Sequence, residues 1–304
     1  MSGLREAVGE AVGRGDLARL VRLVGDLCAA GDWDGVVLLR DRSRAALERG
    51  LQLWPAAEYA EYRLALEAPP GFAGPVVVEG AGRFALGPLW EVAASTHSGK
   101  DLARQLPRGP ARALTAHERV VRGEDLTGDP GADPGVVDLP LVLQPWEPAY
   151  PVAAFHPEKA DFPGPPRLDL RPRELRPPGP VVEDDEACEA LLDLVRPWAE
   201  QSNGRSAAVV VEGSAEAAIA ALCPSGVSAA EAGGAWALAA MTWAAASGGA
   251  YGRRRGTAAG RAAARWAVAR LAALEWPAPG GALGEAMAAM RWVVWEPPDF
   301  TLGW

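Results

Sequence analysis

The chain has 304 residues, 49% of them hydrophobic, and a formal net charge of -9. That is enough apolar material for a substantial core, and it excludes a wholly disordered chain. The surplus of carboxylates argues against unspecific coating of nucleic acid and against adhesion to anionic membranes.

The first residues read as helix. Leu4, Ala7, Val8, Ala11 and Val12 recur at i, i+3, i+4, i+7 and i+8, one face of a 3.6-residue period. Gly15-Asp16 then stops and restarts the chain, with Asp16 as an N-cap. Leu17, Leu20, Val21, Val24, Leu27 and Cys28 repeat the stripe. Gly31 ends that helix as a C′ residue, and Asp32 or Asp34 caps a third helix that runs to about Gly50. The repeated Gly-Asp punctuation resembles that of helical-hairpin repeat proteins of the tetratricopeptide type, over about the first fifth of the chain. A plain helical bundle explains the same pattern. A fourth helix carries Trp54, Tyr59, Tyr62, Leu64 and Leu66, and Pro69-Pro70-Gly71 ends it.

The middle changes character. The β-branched run VVVEG at residues 76–80 predicts a strand, and helices are expected over 86–96 and 110–122. From Gly123 to Pro180 the chain is dense in proline, glycine and aspartate, which excludes regular helix. Trp146, Tyr150 and Phe155 make this an extended segment packed along the rest rather than a free linker. After it, Asp184-Asp185 caps a helix, residues 209–213 repeat VVVEG as a second strand, and helices are expected over 215–222, 229–247, 253–274 and 283–295. The two VVVEG copies, each followed later by a Trp-containing helix ending Ala-Ala-Ser, are consistent with two related halves or with chance in an alanine- and valine-rich chain. The organisation expected is a helical lobe over 1–122, a proline- and glycine-rich connector over 123–182, and an alanine- and tryptophan-rich helical lobe over 183–304. The fold class is mainly α: helical-bundle or helical-repeat-like lobes with two short strands and a long irregular segment. The end, FTLGW, comes soon after a predicted helix and is compatible with a native chain that continues past Trp304.

Few residues point to chemistry. The three cysteines, Cys28, Cys188 and Cys223, show no C-x-x-C spacing, so neither a zinc site nor a disulfide framework is expected. Glu91, His97, His117 and Glu118 would converge if the two mid-chain helices packed together, which would give a metal or acid–base site. Their spacing fits no metal motif, and histidines of the core or surface are the expectation. Gly80-Ala-Gly82-Arg-Phe-Ala85 fits G-x-G-x-x-A, but Pro88 interrupts the helix that should follow and the alternating strands of a dinucleotide fold are missing. Ser98-Gly-Lys100 lacks the first glycine of a phosphate loop, because Ala94 holds that position. No cofactor and no metal are expected.

The strongest local anomaly lies at residues 247–257, SGGAYGRRRGT. Gly248, Gly249 and Gly252 separate two alanine-rich helices, and Arg253, Arg254 and Arg255 are expected to begin the second, with Arg261 and Arg265 further along one face. Cations at a helix N-terminus oppose its dipole; a bound anion would reverse the sign, since free N–H groups and guanidinium groups both favour it. The other reading is a basic loop neutralised by the chain's own carboxylates, such as Glu183 to Glu186. Of the twelve tryptophans, six cluster in the C-terminal helices, at Trp236, Trp243, Trp266, Trp276, Trp292 and Trp295, where they fill volume between alanines or line a partner surface.

A chain rich in alanine, arginine and tryptophan in this way resembles uncharacterised actinobacterial proteins, and the resemblance implies no function. The residues themselves favour a non-catalytic interaction or scaffolding protein with a protein partner. An alternative is a ligand-binding protein or enzyme that recognises a phosphorylated or other anionic small molecule at 248–257. A nucleic-acid adaptor is third, disfavoured by the net charge. The longest apolar stretch, AWALAAMTWAAA at 235–246, is too short to cross a bilayer and no signal peptide is evident. No membrane association is expected, and the expected location is the cytoplasm.

Overall fold

The computed structural model describes residues 2–132, 137–201, 204–224, 226–249 and 252–298. The Tyr251 and Ala250 positions of the glycine–arginine turn and the terminal FTLGW lie outside them. The described residues are mainly helical, and they divide into two units. Unit 1 is Met1–Leu143 with Val152–Phe162; unit 2 is Gln144–Pro151 with Pro163–Trp304. The span expected as a connector is thus apportioned between both. Among the described residues no helix is long and apolar enough to cross a membrane.

Unit 1 begins with α1 (Ser2–Arg14), α2 (Leu17–Ala29), α3 (Trp33–Ala45) and α4 (Trp54–Glu67). Asp16 accepts the Arg19 N–H at 2.9 Å and Asp32 accepts the Gly35 N–H at 3.0 Å, so both aspartates are N-caps. The preceding Gly15 and Gly31 sit at φ 68° and 65°, the left-handed conformation that closes a helix at low cost for glycine. Leu20, Leu23, Val24 and Leu27 of α2 are fully buried against α1, α3 and α4. Then come α5 (Pro70–Ala73), α6 (Leu89–Thr96), α7 (Gly99–Ala103) and α8 (Pro110–Val121), with α6 packed on both α4 and α8. A two-stranded ribbon, β1 (Ala154–Phe155) and β2 (Ala160–Asp161), completes the unit and buries Phe155 in its core.

In unit 2, β3 (Arg171–Arg173) and β4 (Val181–Val182) precede α9 (Asp185–Glu200). They are followed by β5 (Val210–Val211), α10 (Ala215–Leu222), β6 (Val227–Ala232), α11 (Gly234–Ser247), α12 (Thr257–Leu271), α13 (Gly280–Ala289) and β7 (Trp292–Glu296). One antiparallel sheet has the order β3-β6-β7, and β4 pairs with β5. The three helices α9, α11 and α12 pack together. At the α11–α12 contact a Cβ on Gly260 would lie 2.3 Å from the Thr242 carbonyl oxygen, so only glycine lets the two backbones approach this closely.

Four expectations change. The first VVVEG copy is not a strand: Gly74–Val76 is a 3-10 turn in which Val77 donates to Gly74 at 3.1 Å, and Val76 and Val77 are buried in the helical core. Pro75 lacks the N–H a ladder needs, and this also removes the strand that a dinucleotide turn at Gly80 requires. The run 229–247 is not one helix, because its start is β6, held between two partner strands. The run 283–295 is α13 and then β7, whose WVVWE sequence is aromatic and β-branched, the composition that suits a pleated surface. Finally, α12 begins at Thr257, after the three arginines. The described strands therefore exceed the two short ones expected, all within small antiparallel pairings.

Candidate functional site

The described residues on either side of the glycine–arginine turn are drawn together. Gly248 and Gly249 have φ 76° and 80°, and a Cβ on Gly248 would lie 1.8 Å from the Arg253 carbonyl oxygen. The Arg255 N–H donates to the Ala246 carbonyl at 2.7 Å, which folds the turn back on the end of α11. The Arg253 N–H donates to Gln201 Oε1 at 3.3 Å. Arg253 and Arg255 are exposed, whereas Arg254 is half-buried and donates from Nη2 to Thr257 Oγ1 at 3.2 Å. The turn therefore gathers Gly248, Gly249, Gly252 and the three arginines. Glu186, a carboxylate proposed to neutralise them, pairs instead with Arg270 at 3.2 Å.

Arg261, assigned from sequence to the same anion-binding group, leaves it. Its side chain is 0% exposed and it clasps Glu147: Nε donates to Oε1 at 2.8 Å and Nη2 to Oε2 at 2.7 Å. Arg265, one turn later on α12 and 1% exposed, brings Nη1 to 3.2 Å from Glu147 Oε1. The Tyr150 hydroxyl donates to Oε1 at 2.9 Å and the Gln144 N–H to Oε2 at 2.9 Å. The Arg265 guanidinium also lies 5.1 Å from the centroid of the Trp146 ring, a cation–π distance. Burial pushes the Glu147 pKa up, but the Arg261 hydrogen bonds and the charges of both arginines outweigh it and hold the carboxyl below its ordinary value. Burial pushes the Arg265 pKa down, against the attraction of Glu147. Arginine does bind an anionic group here, but the group is the chain's own carboxylate. Such a centre is sealed, and its work is to hold Gln144–Pro151 on α12. The signal that could have found Glu147 is its place as the lone acid in LPLVLQPWEPAYPVAAF.

In unit 1 the mid-chain helices do pack, and Glu91, His117 and Glu118 are fully buried. Even so, among the described residues no three His, Cys, Asp or Glu side chains are placed to hold a metal. His97 is half-buried, and burial lowers its pKa. Cys28 is buried and its thiol is pushed up to about 11, which removes the thiolate needed for nucleophilic chemistry at neutral pH.

The open site lies elsewhere in unit 1. Trp54, Glu58, Tyr59 and Tyr62 lie along α4, which starts with Pro55 in its first turn. They line a cavity of about 320 Å³ that is completed by Phe84 and Leu86 from the loop before α6 and by Glu158 from the turn between β1 and β2. The Phe84 ring packs on Trp54 with centroids 4.5 Å apart, and the Phe84 N–H donates to Glu58 Oε2 at 2.6 Å. The Tyr62 hydroxyl donates to the His156 carbonyl at 2.5 Å and so fixes the β1–β2 turn over the cavity. Burial raises the Tyr62 phenol to about 12, so it stays neutral. Phe84 remains 65% exposed, an unusual state for so large an apolar side chain. Sequence reasoning missed this groove because Trp54, Tyr59 and Tyr62 have the helical spacing of core residues.

No curated protein and no solved structure matches the chain. A family model does, over residues 2–301, and its description is a family of unknown function, DUF6183. The chain belongs to that family.

Proposed function

We propose that this member of the family is a non-catalytic interaction protein of the cytoplasm, and that it engages a protein partner through the aromatic groove of unit 1. The observation that supports this is the concave, aromatic lining: Trp54, Tyr59, Tyr62 and Phe84 around about 320 Å³. Tryptophan and tyrosine are the residues that anchor interfaces, because they combine large contact area with little rotamer entropy. The buried carboxylates and histidine nearby line no part of it. A photo-crosslinking side chain placed at Leu86 is expected to trap one specific partner from cell extract. The same side chain at Leu222, an exposed apolar position of unit 2, serves as control. Equal labelling from both positions would end this reading.

A second reading, recognition of a phosphorylated or other anionic small molecule at 248–257, is supported by Arg253 and Arg255 standing exposed after the glycines at 248, 249 and 252. Titration with inorganic phosphate and ATP should then raise Tm, and the Arg253→Ser, Arg255→Ser double variant should abolish the rise. No rise in the unmodified protein would end it.

A further inference from the structure

We infer that the groove of unit 1 recognises a cation, the guanidinium or ammonium end of an arginine or lysine side chain presented by a partner protein. This rests on the groove being the interaction site. Aromatic ring faces carry a negative quadrupole and attract cations within about 6 Å of the centroid. Of the rings that line the groove Tyr62 is buried and Tyr59 already meets Arg63, so Trp54 and Phe84 offer their faces, and two carboxylates, Glu58 and Glu158, line it with them; none of the described lining residues is basic. Lys159, the neighbouring cation on the β1–β2 turn, lies 3.6 Å from Asp161. The aliphatic stem of an incoming arginine or lysine suits the apolar rim at Leu86 and Phe84, because such stems pack on hydrocarbon while the charged end reaches further.

The chain contains its own example of this recognition one turn away. The Arg63 guanidinium lies 5.6 Å from the Tyr59 ring centroid, donates from Nη1 to the Tyr59 hydroxyl oxygen at 2.9 Å, and donates to both carboxylate oxygens of Glu67 at 2.6 and 2.9 Å. The same two kinds of group, an aromatic ring and a carboxylate, line the groove at Trp54, Phe84, Glu58 and Glu158. Glu58 is held in place by the Phe84 N–H, so its charge is fixed at the cavity wall before a ligand arrives. The net charge of -9 adds long-range attraction for a basic partner and repulsion for an anionic one.

The test uses the full chain and four fluorescein-labelled peptides that differ only at one central residue, which is arginine, lysine, norleucine or glutamate. Fluorescence anisotropy should show the arginine and lysine peptides binding about tenfold more tightly than the norleucine peptide at low salt, with the advantage shrinking as salt is added. The Glu58→Gln, Glu158→Gln double variant should erase most of that advantage, since glutamine at 58 can still accept the Phe84 N–H but carries no charge; an unchanged Tm reports an intact fold. Norleucine binding as tightly as arginine would overturn the cation inference and leave the groove reading standing. No binding by any of the four peptides, together with no rise in Tm on adding tetramethylammonium, would overturn the groove reading. Tetramethylammonium binding in the groove without any peptide binding would overturn the partner-protein source and assign the site to a small organic cation.

Discussion

In unit 1 the largest side chains withdrawn from water are Tyr62 and leucines, Leu20, Leu23, Leu27, Leu39, Leu64, Leu89 and Leu102, and the smaller Glu91, His117 and Glu118 are buried among the described residues as well. In unit 2 the largest are Arg261 and Arg265, beside Leu238 and Leu283. Both units are built mostly from helices of ordinary length, so the difference lies in what fills the space between them. Leucine stripes leave little room for anything but more leucine. Alanine-rich helices such as α11 and α12 approach closely, at Gly260 almost backbone to backbone, and supply little apolar surface of their own. Unit 2 instead buries two guanidinium groups and sets them against one carboxylate and an aromatic face. Hydrophobic burial is non-directional, whereas a buried ion pair is favourable only with its partner in place, because desolvation of each charge is costly.

The contrast can be broken at several points. Glu147→Ala strands two buried cations and should cost about 3–5 kcal/mol, read as a fall in the denaturation midpoint with hydrogen exchange accelerated along α12. Leu23→Ala should cost about 2.7–5 kcal/mol through cavity formation, with the acceleration confined to α1–α4. A Glu147→Ala variant as stable as the unmodified chain would show that the centre is solvated and the contrast false. The pH dependence should differ in sign. Glu147 has a depressed pKa in the folded state, so its contribution is present above the ordinary carboxylate range and is lost as pH falls through the depressed value. Burial raises the Glu61 pKa in spite of Arg44 at 2.5 Å, so the folded state there binds a proton more readily than the unfolded one. Stability from that group falls as pH rises from the ordinary carboxylate range through the raised value. Tm measured across the acid range for Glu147→Gln and Glu61→Gln should deviate from the unmodified chain in opposite directions. The smallest effect is expected for Arg265→Met, within about 1 kcal/mol of the unmodified protein or more stable. It leaves Glu147 and Arg261 as a neutral pair, and among the described residues Arg265 Nε meets no hydrogen-bond acceptor.

Unit 1 was the more legible half. Asp16 and Asp32 are caps because a helix start needs an acceptor for its own N–H groups, a local requirement written in adjacent residues. The α2 stripe follows from burial on one face. Unit 2 depends on partners far apart in the chain. Ala229 reads as helix from its neighbours, yet it is strand because Arg171 and Trp295 lie on either side of it. Arg261 reads as a surface cation until Glu147, 114 positions away, is placed against it. The glycines at 248 and 249 were legible as a turn, but the helix start moved to Thr257 because Gly256, at φ 92°, breaks the chain direction after the arginines. The groove of unit 1 needed Phe84, whose neighbours carry no periodic signal, to be folded against Trp54.

The border between the two units is crossed three times by the chain, since Gln144–Pro151 belongs to unit 2 while the residues before and after it belong to unit 1. A recombinant fragment that starts at Pro163 would keep Arg261 and Arg265 and leave Glu147 behind. A cut before Gln144 keeps the three charges together but takes Val152–Phe162 away from unit 1, so dissection of this chain into both units calls for a permuted design in which residues 144–151 are carried along as a grafted segment.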